Sequence, residues 1–479
     1  MLKLQQRVQG VITAIDAHGR GILPYGKERI FVPAALPDEQ VEVTIVKMIK
    51  EGYIGAITRL THPSQDRVEP PCPHAHSCGG CQLMHMAPAA QLRWKQQRII
   101  AAAKKEKLSL RIHDVVPSPA AACRNKVIAS FGKDRNGMIT AGLYEESSHR
   151  IVAIDRCLLH PASCDAIIQT IRTLMKELRI EPFDVRKRQG FLRHVQLRWG
   201  VRSGEILVTL VASESRFPAR KRFVQALLQA HPAIRSIVLN VNRRDTSIVL
   251  GSEEHILYGS GWICDELLGR QFHISSSSFY QINHDQCERL YQKAYDLLEL
   301  KKSDRLLDAY CGIGTIGLCA ASQVKEVIGV ELNAQAIADA RINAKRNKIT
   351  NARFICEDAS RFLLAAANQH QRYDAVLLDP PREGSTPMFL DACARLQPAR
   401  IAYISCNPLT QLRDLKILAQ YGYVCDELFL YDMFPMSTHT ESVALLKKGG
   451  QRTTKVRRGS VARTQKDRGA HEKRYRHGK

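Results

Sequence analysis

The 479-residue sequence contains no long apolar run. Its first ten residues, MLKLQQRVQG, include no apolar signal-peptide core. No later run approaches the roughly 20 apolar residues that a membrane-spanning helix requires. These absences predict a soluble cytoplasmic protein with no membrane partner.

Acidic residues are also scarce. The sequence has 47 Asp or Glu residues against 70 Lys or Arg residues, a net charge of +23 and a pI near 9.6. Residues 447–479 hold thirteen of the basic residues and two of the acidic ones, and the rest of the chain still carries +12. This charge favours a polyanionic partner, here RNA. The hydrophobic content of 44% excludes a wholly disordered chain, and the length suggests about three domains.

Periodicity and composition divide the chain into four segments. Residues 1–62 contain short β-rich runs separated by Gly and Asp, which is typical of a small barrel of the oligonucleotide-binding type. Residues 63–270 mix strands and helices and include a basic amphipathic helix, predicted from Ala90 to Lys107, whose charges we interpret as a solvated face. Residues 271–446 alternate strand and helix, which predicts a parallel, doubly wound sheet. Residues 447–479 are polar and basic, and we expect them to be disordered.

The 14 cysteines, without a secretion signal, argue for reduced thiols, metal ligands or a nucleophile rather than disulfides. Cys72, Cys78 and Cys81 have C-x5-C-x2-C spacing, which is not the C-x3-C-x2-C of radical enzymes. A fourth ligand would come from Cys157 or from its competitor Cys164. Four thiolates suit either zinc or an iron–sulfur cluster. The spacing of three nearby histidines also makes zinc attractive: His74, His76 and His85.

A glycine-rich turn is predicted between a strand and a helix. In DAYCGIGTIG, Gly312, Gly314 and Gly317 have the G-x-G-x-x-G spacing that permits close approach of a ligand. Glu331 ends the next strand, where an acidic residue commonly binds ribose hydroxyls. NAD and S-adenosylmethionine both fit this pattern. The acidic Asp308 before the turn favours S-adenosylmethionine, which is cationic at its sulfonium and amino groups.

A possible nucleophile follows the fifth strand of this segment. Cys406, in SCNP, shares the carboxyl edge of the sheet with Asp379 and Arg382, in LLDPPR. A thiolate that adds to C6 of a pyrimidine makes C5 nucleophilic enough to accept a methyl group. Glu441 is the candidate base that removes the C5 proton, and Arg382 is a candidate stabiliser of the enolate. We expect the surroundings of Cys406 to favour the thiolate.

Six motifs occur together in order and spacing: FYQIN, DAYCGIGTIG, GVE, LDPPREG, SCNP and THTESV. With this combination the chain resembles the RNA (uracil-5-)-methyltransferases, and most closely the RumA/RlmD-type enzymes that act on 23S ribosomal RNA. The resemblance extends from Leu2 to about Leu446. It implies a multidomain fold, with an N-terminal OB-like β-barrel of the TRAM type, a central α/β domain with an iron–sulfur cluster and a C-terminal Rossmann-like methyltransferase domain.

The resemblance also implies roles for individual residues. Cys406 would be the nucleophile and Glu441 the base, although Thr440 stands where members often carry Val. The residues implied in binding S-adenosylmethionine are Gln281, Tyr310, Gly312, Gly314, Glu331 and Asp379. The implied ligands of a [4Fe–4S] cluster are Cys72, Cys78, Cys81 and Cys157. The implied RNA contacts are Arg382 and the aromatic pair Phe279 and Tyr280, either of which would stack on a flipped-out uracil.

The sequence thus predicts a monomeric enzyme that uses S-adenosylmethionine to methylate C5 of a uridine in 23S ribosomal RNA. Two alternatives remain open: the same chemistry on the T-loop uridine of transfer RNA, and a non-catalytic RNA-binding factor. Arg124 and Lys126, in CRNKV, are either phosphate contacts or surface charges. The basic tail would add sequence-independent attraction to RNA.

Overall fold

The computed structural model describes residues 2–145, 148, 150–246 and 248–449. The predicted disorder of the basic tail falls outside these residues from position 450 onward. Lys447 and Lys448, which we had assigned to the tail, instead end the last strand of the structure. Within the part of the chain that is described, no helix combines the length and the apolarity needed to cross a membrane.

A six-stranded sheet occupies the N-terminal segment, and its last strand ends at His62. Its strands are β1 (Arg7–Val11), β2 (Ala14–Ile15), β3 (Gly21–Tyr25), β4 (Glu28–Val32), β5 (Gln40–Ile49) and β6 (Gly52–His62). They follow the order β1-β5-β6-β4-β3-β2. Val41, Val43 and Ile45 alternate along β5 and are buried, which gives this sheet an apolar core of its own.

The middle of the chain forms a second sheet of seven strands in the order β10-β9-β8-β11-β12-β13-β14. The elements, in chain order, are α1 (Pro88–Lys105), β7 (Arg111–Val116), β8 (Lys126–Lys133), β9 (Ile139–Tyr144), β10 (Ile151–Ala153), α2 (Ala162–Glu177), β11 (Leu192–Trp199), β12 (Ile206–Ala212), α3 (Arg220–Ala230), β13 (Ile234–Val241), β14 (Glu253–Tyr258), β15 (Trp262–Leu267) and β16 (Arg270–Ser275). β15 and β16 form a separate two-stranded sheet. Apolar side chains of α2 and α3 pack on the seven-stranded sheet and form its core.

The C-terminal part alternates helix and strand as predicted. Its elements are α4 (His284–Leu298), β17 (Arg305–Ala309), α5 (Thr315–Ala320) with a 3-10 turn (Ala321–Gln323), β18 (Glu326–Glu331), α6 (Ala334–Arg346), β19 (Ala352–Cys356), α7 (Ala359–Asn368), β20 (Ala375–Leu378), α8 (Pro387–Leu396), β21 (Arg400–Ser405), α9 (Pro408–Gln420), β22 (Tyr423–Val424), β23 (Glu427–Tyr431) and β24 (Glu441–Lys448).

The nine-stranded sheet of this part has the order β19-β18-β17-β20-β21-β24-β23-β7, with β22 paired to β24. The five strands from β19 to β21 run parallel, and β24 is antiparallel to β21. Both faces are buried, because Leu306 and Leu307, adjacent on β17, enter two different apolar clusters. The strand order reverses between β17 and β20, which is where ligands bind in open α/β sheets.

One predicted boundary differs from the structure. β7 lies within the segment that we assigned to the central domain, yet it pairs with β23 at the edge of the nine-stranded sheet. The preceding α1 buries Gln91, Lys95, Ile99 and Ala103, which are spaced four residues apart. The helix therefore has a buried face that includes the cation Lys95, in addition to its solvated face. The amphipathic pattern did not indicate this buried cation.

Candidate active site and cysteine pocket

The glycine-rich turn directly follows β17 at the point where the strand order reverses. Tyr310, Gly312 and Gly314 all have positive φ, of 66°, 54° and 81°. A Cβ on Gly312 would meet no heavy atom within 4 Å, so the turn leaves open space there. A Cβ on Gly317 would lie 2.7 Å from Oδ2 of Asp308. Glycine is therefore required for the turn to pack against the end of β17.

Acidic side chains surround this turn. The backbone N–H of Gly317 donates to Oδ2 of Asp308 at 2.8 Å, while Oδ1 of Asp308 is buried and bonds to no other group in the described part of the chain. Burial raises the pKa of Asp308 to about 7. Glu331, at the end of β18, accepts from the N–H of Gly312 at 3.3 Å and from that of Asn333 at 2.8 Å. A buried carboxyl group with an unused oxygen suits a cationic ligand.

Two further predicted ligand residues, Tyr310 and Gln281, have different surroundings. The Tyr310 ring packs on Phe389 of α8, with ring centroids 5.0 Å apart, so Tyr310 contributes its backbone to the turn. Gln281 is only 7% exposed. Its carbonyl accepts a hydrogen bond from Nδ2 of Asn125 at 2.8 Å, which ties this loop to the central part of the chain.

Cys406 directly follows β21, and Glu441 is the first residue of the neighbouring strand β24. The two strands are antiparallel and pair Ser405 with Ser442, so Cys406 and Glu441 lie side by side at the same edge of the sheet. Asp379 follows β20, the other neighbour of β21. The predicted nucleophile, base and acidic ligand residue are therefore brought together at the carboxyl edge of the sheet.

The electrostatic environment opposes one expectation from the sequence. Burial is the largest cause that raises the pKa of the Cys406 thiol to about 12; the nearby carboxyls of Glu441 and Asp379 also raise it, against a lowering by Arg382. The surroundings thus favour the neutral thiol, not the thiolate that we predicted. Burial also raises the pKa of Glu441 to about 8 and that of Asp379 to about 7. Oε2 of Glu441 is buried without a hydrogen-bond partner among the described residues.

Cys406 opens into a cleft with basic walls. The lining includes Lys95 and Arg98 of α1, Arg382, and the segment 438–440. Nη2 of Arg382 donates to Nδ1 of His439 at 3.0 Å. Burial lowers the pKa of His439 to about 4, so the ring is neutral near pH 7. Sequence reasoning missed Lys95, Arg98 and His439; the four-residue spacing of buried positions in α1 was the available signal for Lys95.

The two aromatic residues before Gln281 have opposite environments. Phe279 is 65% exposed, whereas Tyr280 is 6% exposed and belongs to the apolar core. The Tyr280 hydroxyl donates to Oδ2 of Asp265 at 3.5 Å. This burial corrects the expectation that either ring would stack on a base, because only Phe279 presents a free face.

The four predicted cysteine ligands line one apolar pocket. Cys72, Cys78, Cys81 and Cys157 all face it, together with His74, Arg124 and His160. Four thiols from two distant parts of the chain fit the donor set of zinc or an iron–sulfur cluster. Cys164, by contrast, is buried in the core beneath the seven-stranded sheet and is not among the lining residues. His76 and His85 are not among them either.

A short hydrogen-bond network holds the fourth thiol. Oδ2 of Asp165 accepts from the backbone N–H of Cys157 at 3.0 Å, and Oδ1 of Asp165 bonds Nδ1 of His160 at 2.9 Å. Burial alone would raise the pKa of the Cys157 thiol, but its hydrogen bond with His160 and the charge of that ring lower it below the ordinary value. Arg124 also faces the pocket and lowers the pKa of Cys81, although burial is the larger effect and raises it to about 12.

The sheet order, the glycine turn and the thiol at the carboxyl edge define the class of an α/β group-transfer enzyme. The family model described as tRNA (Uracil-5-)-methyltransferase matches residues 89–449. The chain therefore belongs to the tRNA (uracil-5-)-methyltransferase family and is an RNA methyltransferase, which removes the non-catalytic alternative. Arg124 and Lys126 lie within the matched region.

Individual proteins extend the similarity to nearly the whole chain. An uncharacterized RNA methyltransferase of Halalkalibacterium halodurans is 38% identical over 447 residues, which cover 92% of this chain and 96% of the relative. One from Staphylococcus aureus strain MSSA476 is 36% identical and covers 91% and 97%. The crystal structure of Pyrococcus abyssi tRNA (uracil-54, C5)-methyltransferase with S-adenosyl-L-homocysteine has a TM-score of 0.76 and 29% identity, covering 91% of this chain and 99% of that one.

Proposed function

We propose that this enzyme methylates C5 of a uridine in 23S ribosomal RNA with S-adenosylmethionine, through a transient bond between Sγ of Cys406 and C6. The observation that carries the proposal is the meeting of Cys406, Glu441 and Asp379 at the carboxyl edge, beside the glycine turn. S-adenosylmethionine would supply an electrophilic methyl group on a sulfonium. We place it against Asp308, whose buried Oδ1 is an unused acceptor, and against Gln281, the turn from Tyr310 to Gly314, Glu331 and Asp379.

The chain's own residues would perform three tasks. Cys406 gives its proton to a neighbouring carboxylate and bonds to C6, which moves the ring electrons onto the carbonyl oxygen and makes C5 nucleophilic. After C5 has gained the methyl group, the carboxylate of Glu441 takes the C5 proton and the C6–S bond breaks, returning the thiolate. Arg382, in the cleft wall, would stabilise the enolate oxygen.

The pKa values of Cys406 and Glu441 are raised when neither RNA nor S-adenosylmethionine is bound. A cation beside Asp379 and Glu441 favours their ionised forms and would also favour the Cys406 thiolate. The pKa of the Cys406 thiol would then move back toward its ordinary value of ~8.5, and a neighbouring carboxylate could accept its proton. The cleft is thus inactive toward nucleophilic attack until a positive ligand is present.

We propose that the target uracil leaves its stack to reach Cys406, and that Phe279 stacks on it. The exposed ring of Phe279 supports this role, and the basic walls of the cleft suit the adjoining phosphates. We further propose that the N-terminal sheet is an RNA-binding TRAM-type barrel, and that the protein acts as a cytoplasmic monomer. On this view the chain consists of residues 1–62, a central domain of residues 63–270 and a methyltransferase domain of residues 271–446, with the strand β7 added to the last.

The cysteine pocket is proposed to hold a [4Fe–4S] cluster. The support is a set of four thiols, Cys72, Cys78, Cys81 and Cys157, around an apolar space. Because His74 also faces this space, zinc is the alternative that a metal analysis must separate.

Transfer RNA is the second candidate substrate, since the Pyrococcus abyssi relative acts on uracil 54 of tRNA. Radiolabelled methyl transfer to purified, unmodified 23S ribosomal RNA and to unmodified tRNA separates the two. We expect incorporation into 23S ribosomal RNA, with 5-methyluridine as the product. Incorporation into tRNA alone would move the proposal to the T-loop, and incorporation into neither at high enzyme concentration would overturn it.

A further inference from the structure

The loop 432–440, which joins β23 to β24, leads directly into Glu441. Its conformation is not one that the loop would hold unaided. Met436 has a φ of 65°, in the left-handed region, which costs free energy for a residue with a Cβ. Contacts from outside the loop must therefore fix this conformation, and with it the start of β24.

Helix α1 makes three of these contacts. Lys95, which is 1% exposed, places Nζ 2.5 Å from Oδ1 of Asp432 and donates to the carbonyl of Phe434 at 3.2 Å. Nη1 of Arg98 donates to the carbonyl of Thr438 at 3.1 Å. A buried lysine paired with a buried carboxylate is costly to break from one side, because the remaining charge stays without a partner.

The segment that follows the cysteine motif makes the other contacts. The backbone N–H of Leu83, two residues after Cys81, donates to the carbonyl of Met436 at 3.0 Å. Gln91 of α1 fastens this segment, since its Nε2 lies 3.0 Å from the carbonyl of Leu83, 2.8 Å from that of Met86 and 3.2 Å from Sδ of Met436. One continuous set of bonds thus connects the wall of the cysteine pocket to the loop before Glu441.

We propose that α1 and residues 81–86 position Glu441 through the loop 432–440, and that the cysteine pocket serves this positioning. Gln91, which does not line the Cys406 cleft, is then a positioning residue for the proton-removal step and has no part in binding S-adenosylmethionine or in the attack by Cys406. The inference rests on the proposed function, because it assigns the loop to one step of that reaction. It gives the four-cysteine site a task that does not require electron transfer.

A fluorinated RNA isolates this step. With uridine replaced by 5-fluorouridine, C5 carries no proton for Glu441 to remove, so the reaction stops at the covalent Cys406–C6 adduct after methylation. The rate of adduct formation then reports attack and methyl transfer. Turnover on ordinary RNA reports the same steps plus proton removal.

The test compares Gln91→Leu with Lys104→Met, an exposed position on the same helix, as the control. We expect turnover on uridine RNA to fall about 10- to 100-fold in Gln91→Leu, since a misplacement near 1 Å can cost about 100-fold. Adduct formation with 5-fluorouridine RNA and affinity for S-adenosylhomocysteine should stay at the wild-type level. A methylated protein–RNA adduct should accumulate on ordinary RNA, and Lys104→Met should match the wild type throughout.

Cys81→Ser tests the connection to the cysteine pocket. We expect it to lose bound metal and to show the same separation, with turnover reduced and fluorouridine adduct formation retained. If turnover and adduct formation fall together in all variants whose cofactor affinity is intact, the positioning role is wrong. If Cys81→Ser fails to fold, Gln91→Leu decides the question, because it removes hydrogen bonds without leaving a buried charge. Failure of the wild type to form any adduct would instead contradict the covalent mechanism itself.

Discussion

The molecule contains two thiol sites with opposite surroundings. Cys406 is a single thiol in a cleft with basic walls, and its nearest ionisable neighbours are carboxyl groups. Cys72, Cys78, Cys81 and Cys157 form a group of thiols around a mainly apolar space that includes Leu143 and Ile154. The first arrangement suits a nucleophile that is activated when a positive ligand arrives, and the second suits shared ligation of a metal centre.

The comparison shows that charged neighbours can add to the effect of burial on a thiol pKa or oppose it. Burial would raise the pKa of both Cys406 and Cys157, but the neighbours act in opposite directions. Glu441 and Asp379 raise it at Cys406, whereas His160, held by Asp165, lowers it at Cys157. The carboxyl groups near Cys406 therefore suit a cationic ligand, whereas in the four-cysteine pocket the neighbours favour the thiolate form of Cys157.

Removal of the single thiol, Cys406, should have the largest effect of the changes proposed for the two sites. We expect Cys406→Ala to abolish methyl transfer, because no other group can bond to C6, and to leave S-adenosylhomocysteine affinity unchanged. Radiolabelled methyl transfer and calorimetric binding measure the two effects. Cys356→Ala, an exposed thiol at the end of β19, is the matched control and should keep full activity. Measurable turnover by Cys406→Ala would refute the covalent route.

The four-thiol site is tested first by the metal content of the purified protein. Anaerobically purified protein should be brown, with iron and sulfide near roughly four each per chain, since four thiolates hold one [4Fe–4S] cluster. Cys157→Ser should lose most of the iron and lower the thermal midpoint, because the pocket then lacks its binding energy. Colourless protein with one zinc per chain would favour the alternative metal.

Cys164→Ser serves as the control for this loss. Cys164 lies only seven residues from Cys157 but is buried under the seven-stranded sheet. The iron content of the Cys164→Ser protein should therefore match that of the wild type. A loss of iron equal to that of Cys157→Ser would mean that the ligand set is assigned incorrectly. The two variants together decide between the two cysteines that the sequence left open.

The sequence predicted the strands of the nine-stranded sheet well, because each is a short apolar run between Gly, Asp or Pro signals. β17, β18 and β21 all lie where the pattern placed them. It did not predict that β7 joins this sheet, since pairing with a strand more than 300 residues away leaves no local pattern. The meeting of Cys406 and Glu441 was implied by family resemblance, and the antiparallel register of β21 and β24 supplies its geometric basis.

Charge and burial were the properties that the sequence predicted least well. The thiolate expected at Cys406 is opposed by carboxyl groups that come from other strands, so no window of sequence around Cys406 contains them. The pairing of Lys95 with Asp432 is equally long-range. Tyr280 and Phe279 are adjacent and chemically similar, and only the fold shows which of them is buried.

The aromatic pair offers a finer test of the cleft. We expect Phe279→Ala to weaken RNA binding by about tenfold, since stacking a base on an aromatic ring contributes about 1–3 kcal/mol. Affinity for S-adenosylhomocysteine should not change. The measurement is the KM for RNA together with filter-binding affinity. Tyr280→Phe, which removes one buried hydroxyl, is the matched control and should leave the KM unchanged. A raised KM in Tyr280→Phe together with an unchanged KM in Phe279→Ala would show that Phe279 is not the stacking residue.

The last expected effect is a pH dependence of stability to which the carboxyl groups of the cleft contribute. Burial raises the pKa of Asp308 and Asp379 to about 7 and that of Glu441 to about 8, from ordinary values near 4. The folded state therefore binds protons that the unfolded state has lost, and the stability they give is complete below about pH 4 and disappears as the pH rises through 7 and 8. The thermal midpoint of the ligand-free protein should fall between about pH 4 and pH 8.

Replacing one of these carboxyls tests the origin of the slope. Glu441→Gln removes the group with the highest of the three pKa values, so the thermal midpoint of this variant should fall less between about pH 5 and pH 8 than that of the wild type. Glu51→Gln, an exposed position in the N-terminal sheet, should keep the wild-type slope. A bound cationic ligand should also flatten the slope, because it favours the ionised carboxylates. An unchanged slope in Glu441→Gln would show that the carboxyl groups at the carboxyl edge are already ionised, and the requirement for a positive ligand before attack by Cys406 would then be wrong.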